Sequence, residues 1–155
     1  MKSFLIGIAV MAAALVGGSA VGDDVEGMTV LQQGNHSDIK DQLFKDIHNQ
    51  ADLAALWAQM YAKMTSPPSL PTIDWTKQMV IAYFMGDQKH GGYRVRITKA
   101  AEDLGSFKVE VTVTIPGQAC HVPTDNTQPY VVVTVPASAA PVEPDIKQRN
   151  APPCG

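Results

Sequence analysis

Few side chains in this sequence are suited to nucleophilic attack, metal binding or proton transfer near neutral pH. There are two cysteines, Cys120 and Cys154, and four histidines, His36, His48, His90 and His121. Cys120 and His121 are adjacent and could pair a thiol with a base, but neighbours on an extended chain point to opposite faces. The histidines show no i, i+2 or i, i+4 spacing, so a metal site would need distant segments, and solvated histidines are expected instead. No G-x-S-x-G, Walker loop, H-E-x-x-H, EF-hand loop, C-x-x-C or Rossmann glycine pattern occurs. The expectation is therefore a non-enzymatic chain with no cofactor and no metal. An enzyme of unrecognised type, using Cys120 or a histidine, is kept as an alternative.

Two other segments draw notice as possible recognition elements. Gly86 to Tyr93 is a glycine-bounded loop between strong strands, in which Gln88, Lys89, His90, Gly91, Gly92 and Tyr93 are the candidate binding residues. Pro116 to Pro129 is a longer loop leading into Gln128 and Tyr130, which join the candidate set. Glycine pairs permit positive φ and close approach by a partner, and binding usually resides in loops held on a rigid scaffold.

The elements that must position these loops can be read from periodicity. Short strands are expected around Met28, Val30 and Leu31 and around Leu43, Phe44 and Ile47. Asn49 suits a helix N-cap with Asp52 three residues on; Leu53, Leu56, Trp57, Met60 and Met64 then form one apolar stripe of a helix that Pro67 and Pro68 must end. Met79 to Met85 is an unbroken apolar run, as in a strand covered on both faces. Residues 93–99 and 107–115 alternate strictly, predicting a hairpin across Glu102–Gly105 that brings Arg94 and Arg96 toward Glu110. Tyr130 to Val135 is a further strand. Taken as an antiparallel succession 79–85, 93–99, 107–115 and 130–135, these strands put both candidate loops at one end of the sheet. The fold class predicted is α+β, a mainly antiparallel β-sheet folded as a sandwich or open barrel with one packed helix.

Compartment follows from the first residues. Met1-Lys2-Ser3 precede an apolar run from Phe4 to Val16 and then Gly17-Gly18-Ser19-Ala20, the pattern of a signal peptide over 1–20 with cleavage after Ala20. The run is shorter than the roughly 20 residues a membrane span needs, so no stable span is expected after cleavage and the protein is expected to be periplasmic or secreted. Residues 21–155 are then one domain. In an oxidising compartment an even cysteine count is read first as an intramolecular disulfide, Cys120–Cys154, with free thiols or an intermolecular bridge as alternatives. Such a loop contributes at most about 4 kcal/mol. The tail from Pro136, rich in proline, is expected to lack regular hydrogen bonding and to need that clip. The chain has 155 residues, 12 Lys and Arg against 15 Asp and Glu, and a net charge of −3, with no basic stripe, which argues against nucleic acid as a partner.

Met79 to Gly86, Gly91-Gly92-Tyr93-Arg94-Val95-Arg96-Ile97, Pro116-Gly117 and Thr127-Gln128-Pro129-Tyr130-Val131-Val132-Val133 together resemble the PrcB C-terminal domain family over about residues 75–137. The pattern is an apolar strand ending in Gly, a G-G-Y turn and a late Q-P-Y strand. This chain has His90 where the family often has a small hydroxyl residue. The family is named for a subunit associated with an exported bacterial protease complex. The resemblance therefore implies a protein-binding module whose partner is another exported protein, a protease that it associates with or stabilises. The arrangement is also dimly similar to chagasin-type inhibitors of cysteine proteases, through Gly92-Tyr93 alone, which implies as an alternative a protease inhibitor acting through 86–93.

If the segment 1–20 is a signal peptide, intact-mass measurement of the exported protein will show a chain starting at Val21; a mass that includes Met1 to Ala20 would refute it.

Overall fold

A strand as apolar as Met79–Met85 is stable only if something covers both of its faces. In the computed structural model, which describes residues 25–155, both are covered. The expected signal segment lies outside the described residues. In chain order the elements are β1 (Thr29–Gly34), β2 (Leu43–Ile47), α1 (Gln50–Met60), β3 (Gln78–Phe84), β4 (Arg94–Asp103), β5 (Ser106–Ile115), β6 (Tyr130–Pro136) and β7 (Val142–Asn150). One sheet has the order β1-β6-β3-β2 and the other β4-β5-β7. The result is a three-layer α+β sandwich of helix on sheet on sheet, and no barrel closes.

The layers follow from side-chain alternation. Val80, Ala82 and Phe84 of β3 and Tyr130 and Val132 of β6 pack with Leu53, Leu56, Trp57 and Met60 of α1. Met79, Ile81 and Tyr83, with Val131, Val133 and Val135, pack against Val95, Ile97, Val109, Val111 and Val113 of the second sheet. The strand with two apolar faces is therefore in the middle layer, and those with one wet face are outside.

This sorting corrects the expected succession of strands. β3 does not pair with β4; it lies between β2 and β6, antiparallel to both, with Phe84 opposite Tyr130. The connection after β3 crosses from the inner sheet to the outer one, and the connection after β5 crosses back. The hairpin of β4 and β5 forms, but across the two-residue turn Leu104-Gly105, with φ of 50° and 85°, the paired positive values of a turn that matches strand twist. Arg94 and Arg96 lie opposite Thr114 and Thr112, not Glu110, because the turn at Leu104-Gly105 sets Lys99 opposite Glu110, and a bulge between Ile97 and Lys99 then shifts the register by one residue.

The helix begins as expected, with Asn49 Oδ1 accepting from the Asp52 amide at 2.8 Å. It ends a turn early: the Met60 carbonyl accepts from the Asp38 amide at 2.9 Å, and Met64, assigned to the buried stripe, is 53% exposed.

The tail is also corrected. Val142–Asn150 is a strand, β7, parallel to β5 over nine residue pairs, with Pro144 tolerated because the strand is at the edge. Lys108 meets Glu143, and Lys147 meets Glu110 and Asp145. The lysine partners hold the Glu143 and Glu110 carboxyls below the usual carboxylate range. Because these values are depressed, their support for β7 is present above the ordinary carboxylate pKa and is lost as pH falls through the lowered one.

Trp57 is 6% exposed, and its Nε1 donates to the Pro68 carbonyl at 2.8 Å, tying α1 to the proline connector. Trp57→Ala is expected to destabilise the domain by about 3–5 kcal/mol in denaturant unfolding; an unchanged midpoint would show that the helix is not packed as described.

Candidate functional site

The two sheet-crossing connections leave the ladders, so their backbone groups need other partners. They find each other. The Gln88 amide donates to the Thr127 carbonyl at 2.8 Å and the Thr127 amide donates back at 2.9 Å, a one-rung antiparallel bridge. The Gly91 amide donates to the Pro123 carbonyl at 2.7 Å, and Thr127 Oγ1 donates to the His90 carbonyl at 2.9 Å. A β-carbon at Gly91 would come within 2.9 Å of the Pro123 ring. The left-handed residue is Gly92, with φ of 92°, where a β-carbon would lie 2.6 Å from Val122. Both glycines are thus required by how closely the loops pack.

A third segment, residues 35–42, which the sequence reading did not single out, completes the cluster. The Gln128 amide donates to the Asn35 carbonyl at 2.7 Å, and the Asp87 amide donates to the Lys40 carbonyl at 2.9 Å. Gln128 Nε2 donates to Asp87 Oδ1 at 2.7 Å, and Lys40 pairs with the same carboxylate at 3.7 Å. No motif marks this segment in the sequence. Gly86, with φ of 80° and the Lys40 and Gln42 backbone 2.9 Å from where its β-carbon would be, was the available signal of a close approach.

The structure distributes the candidate residues between bracing and exposure. Gln128 and Tyr130 are 6% and 5% exposed. Tyr130 stacks on Phe84 with centroids 5.6 Å apart; burial, with the neighbouring Tyr61 phenol, pushes its own phenol far above the usual range. His90 stacks on Tyr93 at 5.1 Å. His90 Nδ1 lies 2.9 Å from the Gly91 carbonyl, which can only accept, so Nδ1 donates there, and Nε2 lies 3.4 Å from Tyr93 Oη. Gln88 is half-buried, and Lys89 is exposed, as are His121, Thr124, Asp125 and Asn126 on the facing loop. Between Gly34-Asn35 and Gly92–Arg96 a cleft of about 480 Å³ opens, with Tyr130 among its walls.

Cys120 and Cys154 are joined by a disulfide, so neither sulfur is a free thiol. The Cys154 amide donates to the Gln118 carbonyl at 2.9 Å and the Ala151 amide to the Ile115 carbonyl at 2.8 Å, laying the tail along the loop. Among the described residues no three His, Cys, Asp or Glu side chains gather into a metal site.

Residues 79–136 match the family model described as PrcB C-terminal. Over these residues the chain is similar to the PrcB C-terminal family. The match runs from Met79 on β3 to Pro136, the last residue of β6, so the PrcB C-terminal segment comprises the central strand pair, the β4–β5 hairpin and both crossing loops. β1, β2, α1 and β7 lie outside it. No curated protein and no solved structure matches the chain. Nothing adds to the likeness to chagasin-type inhibitors beyond Gly92 and Tyr93.

The clip on residues 116–129 has a measurable consequence. Replacing both cysteines by serine is expected to lower stability by about 2–4 kcal/mol and to speed amide exchange at Gly91 and Thr127, which depend on the clipped loop. Unaltered exchange at those two amides would show that the bridge does not hold the loop pair.

Proposed function

We propose that the protein is an exported, non-enzymatic binding module that associates with another exported protein, a protease, through the paired loops 86–93 and 116–129. The observation that carries this reading is the interlocking of the two crossing loops: the PrcB C-terminal block contains both, and they are braced against each other while Lys89 and residues 124–126 stay exposed at their tips. Loops ordered before binding lose little conformational freedom on association, so more of the contact energy appears as affinity. The signal-like N-terminus supports export, and the disulfide suits an oxidising compartment. The family's name-giving subunit, associated with a protease complex, supports the choice of partner.

Gln88 and His90 hold loop geometry, so the informative side chains are Lys89 and Asp125. The double variant Lys89→Glu, Asp125→Lys is expected to melt within about 0.5 kcal/mol of the parent while recovering far less protease from the envelope fraction. Equal recovery by the folded variant would move the contact elsewhere. Stoichiometric inhibition of a protease in a titrated panel would replace association with inhibition.

A further inference from the structure

The chain has three arginines, Arg94, Arg96 and Arg149, and all three lie at one end of one sheet face. Val95 and Ile97 point into the core, so Arg94 and Arg96 project from the outer face of β4. Arg94 is opposite Thr114 and Arg96 opposite Thr112 on β5, and Arg149 Nε donates to Thr114 Oγ1 at 3.2 Å from β7, on the same face. Among the described residues none of the three arginines has an ion-pair partner. The rest of this face differs: Lys147, level with Arg96 across Thr112, meets Glu110 and Asp145, and Lys108 beyond them meets Glu143. The outer sheet is therefore divided into a neutralised end and an uncompensated cationic end, on a chain of net charge −3. The cationic end borders the paired loops, because β4 leaves the first loop and β5 enters the second.

We propose that this end of the β4–β5–β7 face docks an acidic, extended segment of the partner protein, an inference that rests on the binding-module reading above. Arg94 and Arg96 repeat every second residue, about 7 Å apart along the strand, the same interval at which an extended chain presents alternate carboxylates to one side. Arg149 lies two strand spacings away, about 10 Å, and widens the patch. Guanidinium groups suit this use because each can grip a carboxylate with two parallel hydrogen bonds. Gln33 Nε2 donates to the Val95 carbonyl at 2.7 Å and fixes the backbone between Arg94 and Arg96, so the pair is held in register. Charge complementarity chooses the occupant. A long polyanion or an anionic membrane would extend past three arginines onto Glu110, Glu143 and Asp145, whereas a short acidic segment ends before them.

The test is fluorescence anisotropy with a labelled short peptide alternating Glu with Thr, its Gln-for-Glu counterpart, a mixed-sequence single-stranded oligonucleotide and phosphatidylglycerol-containing vesicles. The purified protein should bind the Glu peptide in a salt-sensitive manner and at least about tenfold more tightly than the Gln peptide. Arg94→Gln with Arg96→Gln should remove that preference, and Arg149→Gln should reduce it. Lys77→Gln, at the far end of the sandwich, should leave it intact. Equal binding of the two peptides, an unaffected double variant, or tighter binding of oligonucleotide or vesicles would overturn the proposal. None of these readouts uses protease recovery, so failure here is separate from failure of the loop contact. Thermal melting of each variant confirms that the face is still folded.

Discussion

The fold depends on the pairing of β3 with β6. Seven residue pairs, from Gln78–Pro136 to Phe84–Tyr130, join two strands whose side chains are apolar on both sides. A strand pair of this kind cannot sit at a surface, because exposing either face would return a row of valines and aromatic side chains to water. The chain must supply one cover before β3 and another between β3 and β6. α1 is the first and the β4–β5 hairpin the second, and their order in the chain forces two crossings between sheets at the same end of the sandwich.

Those crossings explain the chemistry of the loops. A segment that leaves one sheet for another loses its ladder partners, and any amide or carbonyl it buries must be satisfied locally. Loops 86–92 and 116–129 solve this jointly, through the Gln88–Thr127 rung and the Gly91–Pro123 bond, and residues 35–42 accept from the Asp87 and Gln128 amides. The glycines follow from the closeness of that arrangement. At Gly117 a β-carbon would fall 2.0 Å from the Pro152 carbonyl oxygen, so the tail rests directly on the loop backbone next to its disulfide.

The sequence made the layers legible where one physical effect dominated. The unbroken run 79–85, the alternation in 93–97 and 107–115, and the Asn49 cap each gave the right local structure. Pairing was less legible, since periodicity says how many faces of a strand are buried and nothing about which strand covers them. That is why β3 and β4 were expected to be neighbours although two-sided burial separates them. The bulge at Ile97/Lys99 changed the partners of Arg94 and Arg96 without disturbing the alternation before it. β7 was missed because its stability comes from its neighbour β5 and from ion pairs along an exposed edge, while its own residues, Glu, Pro, Asp and Lys among them, carry no strand signature. The two candidate loops were found, but Gln128 and His90, read as candidate binding residues, are held inside the loop pair as braces.

This division between braces and free side chains limits how the loop end can work. Gln128, His90 and Tyr130 are engaged with Asp87, Tyr93 and Phe84, so recruiting them to a partner would first break contacts inside the protein. The groups that can engage a partner without that cost are Lys89, Asp125, Asn126, Arg94 and Arg96. Beneath them lies a polar group for which the core makes no provision: the Tyr61 hydroxyl is buried beside Tyr130 without a well-formed hydrogen bond. An unmet hydroxyl of this kind costs on the order of 1–3 kcal/mol. The core tolerates it next to the same Tyr130 that pairs with Phe84 and forms part of the cleft beside Gly92. Among the described residues, the buried hydroxyl without a partner and the arginines without an ion pair therefore share one end of the molecule. There the inner sheet contributes rigidity through Tyr130, and the outer sheet contributes charge through Arg94 and Arg96.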